Sequence, residues 1–92
     1  RAVLHFFTKP KEQGNYFELL SNTVKTNGLV ILAQFNTNSA KFCSGLPVFQ
    51  YNQDILEKQL GSRFTLIDSF NYTYTMPSGD KREYIYTLFK KN

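Results

Sequence analysis

Apolar residues along this chain follow two different periods, and the change from one to the other divides it. In the first third, Tyr16, Phe17, Leu20 and Val24 recur at three- and four-residue spacing, the stripe of an amphipathic helix with one buried side. Thr8 offers a capping oxygen ahead of it, Pro10 suits the first turn, and Gly14 weakens the helix slightly. Lys25 favours the negative pole of the helix dipole, and Gly28 is the expected left-handed terminator. The next run, Leu29-Val30-Ile31-Leu32-Ala33-Gln34-Phe35, is apolar on both faces. That pattern predicts a strand buried in the middle of a parallel sheet with helices packed on each side. A polar loop follows over residues 36–44, then a proline-interrupted apolar stretch over 45–51 that reads as an ordered loop or an edge extension. Asn52 is placed to cap a second short helix, with Ile55, Leu56 and Leu60 inward and Gly61 as its stop.

Alternation takes over in the last third. Over residues 63–76, Phe70, Tyr72, Tyr74 and Met76 point one way while Asn71, Thr73 and Thr75 point the other. Over 83–89, Tyr84, Tyr86 and Leu88 oppose Ile85, Thr87 and Phe89. Pro77-Ser78-Gly79-Asp80 between them has turn chemistry, so the chain ends in a predicted β-hairpin. The opening Ala2-Val3-Leu4-His5-Phe6-Phe7 fits a short helix and a buried strand equally well. Helix, buried strand, helix and hairpin in that order predict an α/β fold: a parallel pair from the βαβ step, with the hairpin adding an antiparallel strand.

Bulk properties narrow the class. At 92 residues with 41% hydrophobic and 20% charged content, the chain is one domain at most and not a disordered tail. No apolar run approaches the roughly 20 residues of a bilayer span, and no signal-peptide pattern is present. Cys43 is the only cysteine, which excludes an internal disulfide and makes a reducing, cytoplasmic setting the expectation. The net charge of +4 raises nucleic acid as a partner, but the basic residues are scattered except at Lys9/Lys11, Lys81-Arg82 and Lys90-Lys91.

Four segments, RAVLHFFT, VKTNGLVILAQF, CSGLPVFQY and REYIYTLFKKN, together resemble the C-terminal half of class I S-adenosylmethionine-dependent methyltransferases. In that family the turn before the fifth strand is usually Lys-Pro-Gly-Gly; here it is Lys25-Thr26-Asn27-Gly28. The resemblance implies the C-terminal part of a Rossmann-like doubly wound mixed sheet. Leu29–Phe35 would be its fifth strand, residues 64–74 the sixth, and residues 84–89 a seventh inserted antiparallel between them. It also implies that the glycine-rich loop and the acidic residue that hold S-adenosylmethionine lie elsewhere, since glycines 14, 28, 45, 61 and 79 are never clustered. Residues 1–92 then form a single partial domain, the acceptor-side half of an enzyme that is not expected to bind the cofactor or work alone. Its partner would be the missing N-terminal half or a second chain completing the sheet.

The resemblance assigns Arg1, Ala2 and His5 to the border of the cofactor's methionine end, where a histidine near neutrality is suited to accept a proton from an acceptor amine or hydroxyl. The plainer alternative is a packed, hydrogen-bonded histidine. Cys43, Ser44 and Gly45, with Leu46 and Tyr51 as apolar walls, would line a pocket for a small-molecule or protein methyl acceptor beyond the strand end. Cys43 need not react, because methyl transfer is an in-line displacement governed by position, and a lone cysteine is ordinarily a small buried hydrophobe. One histidine and one cysteine among scattered carboxylates provide no metal-ligand set. The tyrosine stripe of the hairpin is either core packing or a base-stacking platform. Two other functions therefore stand beside the methyltransferase reading: a stand-alone binding or assembly module, whose unpaired strand edge would invite another chain, and a small basic nucleic-acid binder.

Overall fold

A computed structural model of the chain describes residues 4–43 and 46–92. Leu4–Phe6 form a single 3-10 turn, followed by helix α1 (Pro10–Thr23) and strand β1 (Leu29–Phe35). A two-residue ribbon, β2 (Phe42–Cys43) with β3 (Leu46–Pro47), precedes helix α2 (Gln53–Leu60). The chain ends in the long hairpin β4 (Phe64–Thr75) and β5 (Lys81–Lys91).

The hairpin's last strand is the middle of the main sheet. Its order is β1-β5-β4, and β5 runs antiparallel to both neighbours. This places the terminal strand between the other two, as expected, but overturns the parallel, doubly wound, Rossmann-like architecture. No two neighbouring strands among the described residues run parallel; the sole parallel pairing is an isolated bridge from Asn36 to Tyr51. The reason is physical. The βαβ connection brings β1 and β4 into the same direction, yet the short turn after β4 lets β5 fold back at once and take the position between them. Among the described residues β1 is therefore an edge strand, with Leu29 62% and Ile31 71% exposed, and its apolar run is not a sign of burial on both sides.

Both helices cover one face of this sheet. Phe17 of α1 and Leu56 and Leu60 of α2 pack with Leu32, Ile85, Phe89 and Phe64 from the three strands, and Leu4 and Tyr51 close the cluster. Lys91 crosses this layer to donate from Nζ to the carbonyls of Ser21 and Val24, so a cation meets the negative end of α1. The opposite face of the sheet carries no helix among the described residues.

A bulge decides which residues lie on that open face. The pairing of β4 with β5 slips between Leu66 and Asp68. Before the slip, Phe64 and Leu66 face the helices; after it, Ser69 and Asn71 take that side and Phe70, Tyr72 and Tyr74 turn outward.

Local signals explain the element ends. Asn52 caps α2 through its Oδ1, which accepts from the Ile55 N–H at 2.8 Å, and Gly61 ends it with φ +62°. Gly79 supplies φ +91° in the hairpin turn. At the α1–β1 junction the left-handed residue is Asn27 (φ 67°), not Gly28. Gly28 is needed for space, because a Cβ there would meet the Lys25 carbonyl oxygen at 2.8 Å. Thr8 does not cap α1 either: the N-cap is Lys9, without a side-chain bond, and Pro10 fills the first turn.

Candidate functional site

Among the described residues, three of the six buried polar side chains, His5, Gln34 and Asn36, lie at the carboxyl end of β1. Register explains how. The Asn36 N–H donates to the Glu83 carbonyl at 2.9 Å and the Lys91 N–H to the Gly28 carbonyl at 2.9 Å, so the even-numbered residues of β1 turn their amides toward β5. The odd-numbered residues turn theirs to the outer edge. At Phe35 that edge is occupied. The Phe35 N–H donates to His5 Nδ1 at 3.4 Å, and the Phe35 carbonyl accepts from the Tyr51 N–H at 2.8 Å. The His5 carbonyl in turn accepts from the Phe49 N–H.

His5 is 2% exposed, and its ring stacks on Phe35 with centroids 4.3 Å apart and planes 19° apart. Burial lowers its pKa below the ordinary histidine value, and an acceptor role for Nδ1 requires the neutral ring. In this arrangement the Nδ1 lone pair serves the strand, as in the packed, hydrogen-bonded alternative. Tyr51 is fully buried, edge-on to Phe17 and Phe49, and its hydroxyl has no hydrogen-bond partner among the described residues. Burial and the neighbouring Tyr16 push its pKa far upward, so the ring is neutral and belongs to the core.

Leu46 lies apart from these two, exposed on the β2–β3 ribbon. The Val48 N–H donates to the Lys41 carbonyl across the base of that ribbon, and Gln50 Nε2 ties it toward the same strand end through the Ser39 carbonyl at 2.6 Å. Ser39 Oγ accepts from the Glu83 N–H. The structure thus brings His5, Tyr51 and the Leu46 ribbon to one end of β1. Arg1, Ala2, Ser44, Gly45 and the side chain of Cys43 lie outside the described residues.

Two residues at this end escaped the sequence reading. Asn36 looked like the first residue of a loop, but it is buried. Its Nδ2 donates to Asn71 Oδ1 and the Tyr84 carbonyl, and its Oδ1 accepts from the Asn38 N–H. Gln34 is 1% exposed with Oε1 unpartnered among the described residues. Their only sequence signal was polarity at the inward positions 34 and 36, and an all-apolar reading of the strand discounts it.

Among the described residues, concave regions lie on both faces of the sheet. On the open face, Ile31, Leu88, Phe70 and Tyr86 line an apolar groove of about 300 Å³ with Asp68 at one side. Phe70 and Tyr86 stack within it, 5.2 Å between centroids and nearly coplanar, while Tyr72 meets Tyr86 edge-on. On the helix side, Asn52, Gln53 and Asp54 face Ser69 and Asn71 across a polar cleft of about 410 Å³. No group of three His, Cys, Asp or Glu side chains suited to a metal is present among the described residues, and no described helix is long and apolar enough to cross a membrane.

No model of a known protein family matches the chain, and no curated protein matches it.

Proposed function

We propose that this chain is the acceptor-side portion of an S-adenosylmethionine-dependent methyltransferase acting on a small molecule or a protein side chain, and that it does not transfer methyl groups alone. The observation that supports the reading is the reversed final strand β5 lying between β1 and β4, the position the resemblance implies for it. The open aromatic face fits it as well, because an apolar sheet face is normally covered by a second layer. The covering layer in this reading is the cofactor-binding half of the domain or a second chain.

The test is the encoding reading frame upstream of Arg1, followed by calorimetry. The reading expects a strand, a glycine-rich turn and an acidic residue about twenty positions later. It further expects S-adenosylmethionine to bind the extended polypeptide and to give no heat with residues 1–92. A stop codon directly upstream, or an extended polypeptide that ignores the cofactor, would overturn it.

A second reading has one observation in its favour. Phe70, Tyr72 and Tyr86 lie on the open face with Arg82 and Lys90 on the same side of β5, the makings of a base-stacking platform. Retention of RNA at low salt that falls steeply with added salt would favour it, and no retention would remove it.

A further inference from the structure

We infer that Asn27-Gly28 is a site of self-modification that pairing with the end of β5 holds closed: the asparagine converts to aspartate and isoaspartate in the unfolded chain and is protected in the native one. The inference goes beyond the methyltransferase reading and does not rest on it.

The sequence supplies the reactive pair. Asn27 is the one asparagine of the chain that a glycine follows. Gly28 has no Cβ, so its backbone nitrogen approaches the Asn27 side-chain amide with the least crowding. The deprotonated Gly28 nitrogen forms a bond to Asn27 Cγ and the Cγ–Nδ2 bond breaks. Nδ2 leaves as ammonia, taking up the proton that the backbone nitrogen gave up. Water then opens the cyclic imide at either carbonyl, giving aspartate or isoaspartate. Water is the sole co-reactant, and Asn27 is exposed to it.

The fold restrains both partners. The Gly28 N–H donates to the Lys25 carbonyl at 2.8 Å, which closes a turn over residues 25–28. Asn27 takes the third position of that turn with φ 67°, as asparagine does where a turn needs a positive φ. For attack, the Gly28 nitrogen must surrender its bond and the peptide plane between the two residues must rotate. β5 blocks the rotation. The Asn27 N–H donates to the Lys91 carbonyl at 2.8 Å, and the Lys91 N–H to the Gly28 carbonyl at 2.9 Å. Lys91 Nζ also holds the end of α1 through the Ser21 and Val24 carbonyls.

The same clasp makes the modification consequential. Isoaspartate inserts a methylene into the backbone between residues 27 and 28, where both groups must meet Lys91. A chain modified while unfolded therefore refolds with the start of β1 out of step with β5, and melts lower.

Peptide mapping by mass spectrometry at mildly alkaline pH tests this, following acid formation at each asparagine across a urea series. In full denaturant residue 27 should convert fastest of all the asparagines. In the native chain its conversion should be slower by about tenfold or more, and the rate should climb with the unfolded fraction. Lys91→Pro lacks the N–H that the Gly28 carbonyl accepts. Where circular dichroism shows that variant folded, its native rate at residue 27 should rise severalfold. A parent rate that stays flat across the unfolding transition would overturn the proposal, and so would an Asn27 no faster than the other asparagines in denaturant. A folded Lys91→Pro chain that converts as slowly as the parent would overturn the part given to β5.

Discussion

His5 gives the sharpest test of how the β1 end is held, because it is the only histidine in the chain. No other side chain has an ordinary pKa between about 5 and 8. Buried and accepting the Phe35 N–H through Nδ1, the folded ring favours its neutral form, so its pKa lies below that of the unfolded chain. The sign follows. Below the unfolded value of about 6.5 the unfolded state binds more protons than the folded one, so stability is lost as the pH falls and regained as it rises. If the folded ring takes up no proton down to pH 5.5, the linkage between pH 7 and 5.5 reaches its ceiling of about 1.2 kcal/mol. For a domain of this size that is a fall in Tm of about 5–10 °C. Replacing His5 by phenylalanine keeps a ring against Phe35 but removes the acceptor, leaving a buried N–H unpaired at about 1–3 kcal/mol. Thermal unfolding followed by circular dichroism from pH 7.5 to 5.5 should show a sloping profile for the parent and a lower, flat one for His5→Phe. Equal slopes in the two proteins would refute the assigned hydrogen bond and the neutral ring.

Three further substitutions test the supports around this end, each by chemical denaturation. Asn52→Ala removes the acceptor for the Ile55 N–H and should cost about 1 kcal/mol. Gly28→Ala drives a Cβ into the Lys25 carbonyl and should cost about 1–3 kcal/mol, although its backbone angles are ordinary; a neutral result would mean that the turn relaxes freely. Leu56→Ala empties a fully buried site in the helix layer and should cost about 2–5 kcal/mol.

Local chemistry was legible in the sequence wherever one residue decides the outcome. The span of β1, the Asn52 cap, the Gly61 stop and the alternation of the hairpin all follow from single side chains or from a strict period. Strand neighbourhood was harder. The apolar run of β1 reads as a central parallel strand because burial on both faces and exposure of an unpartnered edge leave the same hydrophobic pattern. What distinguishes them is the identity of the neighbouring strand, and the β5 residues that pair with β1 lie 49 to 61 positions away. The observed order β1-β5-β4 agrees with the strand placement that the resemblance implies, while the parallel doubly wound sheet it also implies is absent among the described residues. The bulge at Leu66/Asp68 left no mark in the pattern, as the alternation of Phe70, Tyr72 and Tyr74 is the same on either face. At the candidate site, the sequence marked His5 as a residue to examine, with a packed, hydrogen-bonded ring as one of its two readings. The engagement of His5 Nδ1 by a backbone amide thirty residues away was not legible.

The central structural claim is that, among the described residues, β1 has a strand neighbour on one side alone, and amide hydrogen exchange resolved residue by residue tests it most directly. At a concentration where the chain is a single copy, the amides of Val30, Leu32 and Gln34 should be protected by β5. Those of Leu29, Ile31 and Ala33 should exchange freely. Uniform protection of all six would contradict the account.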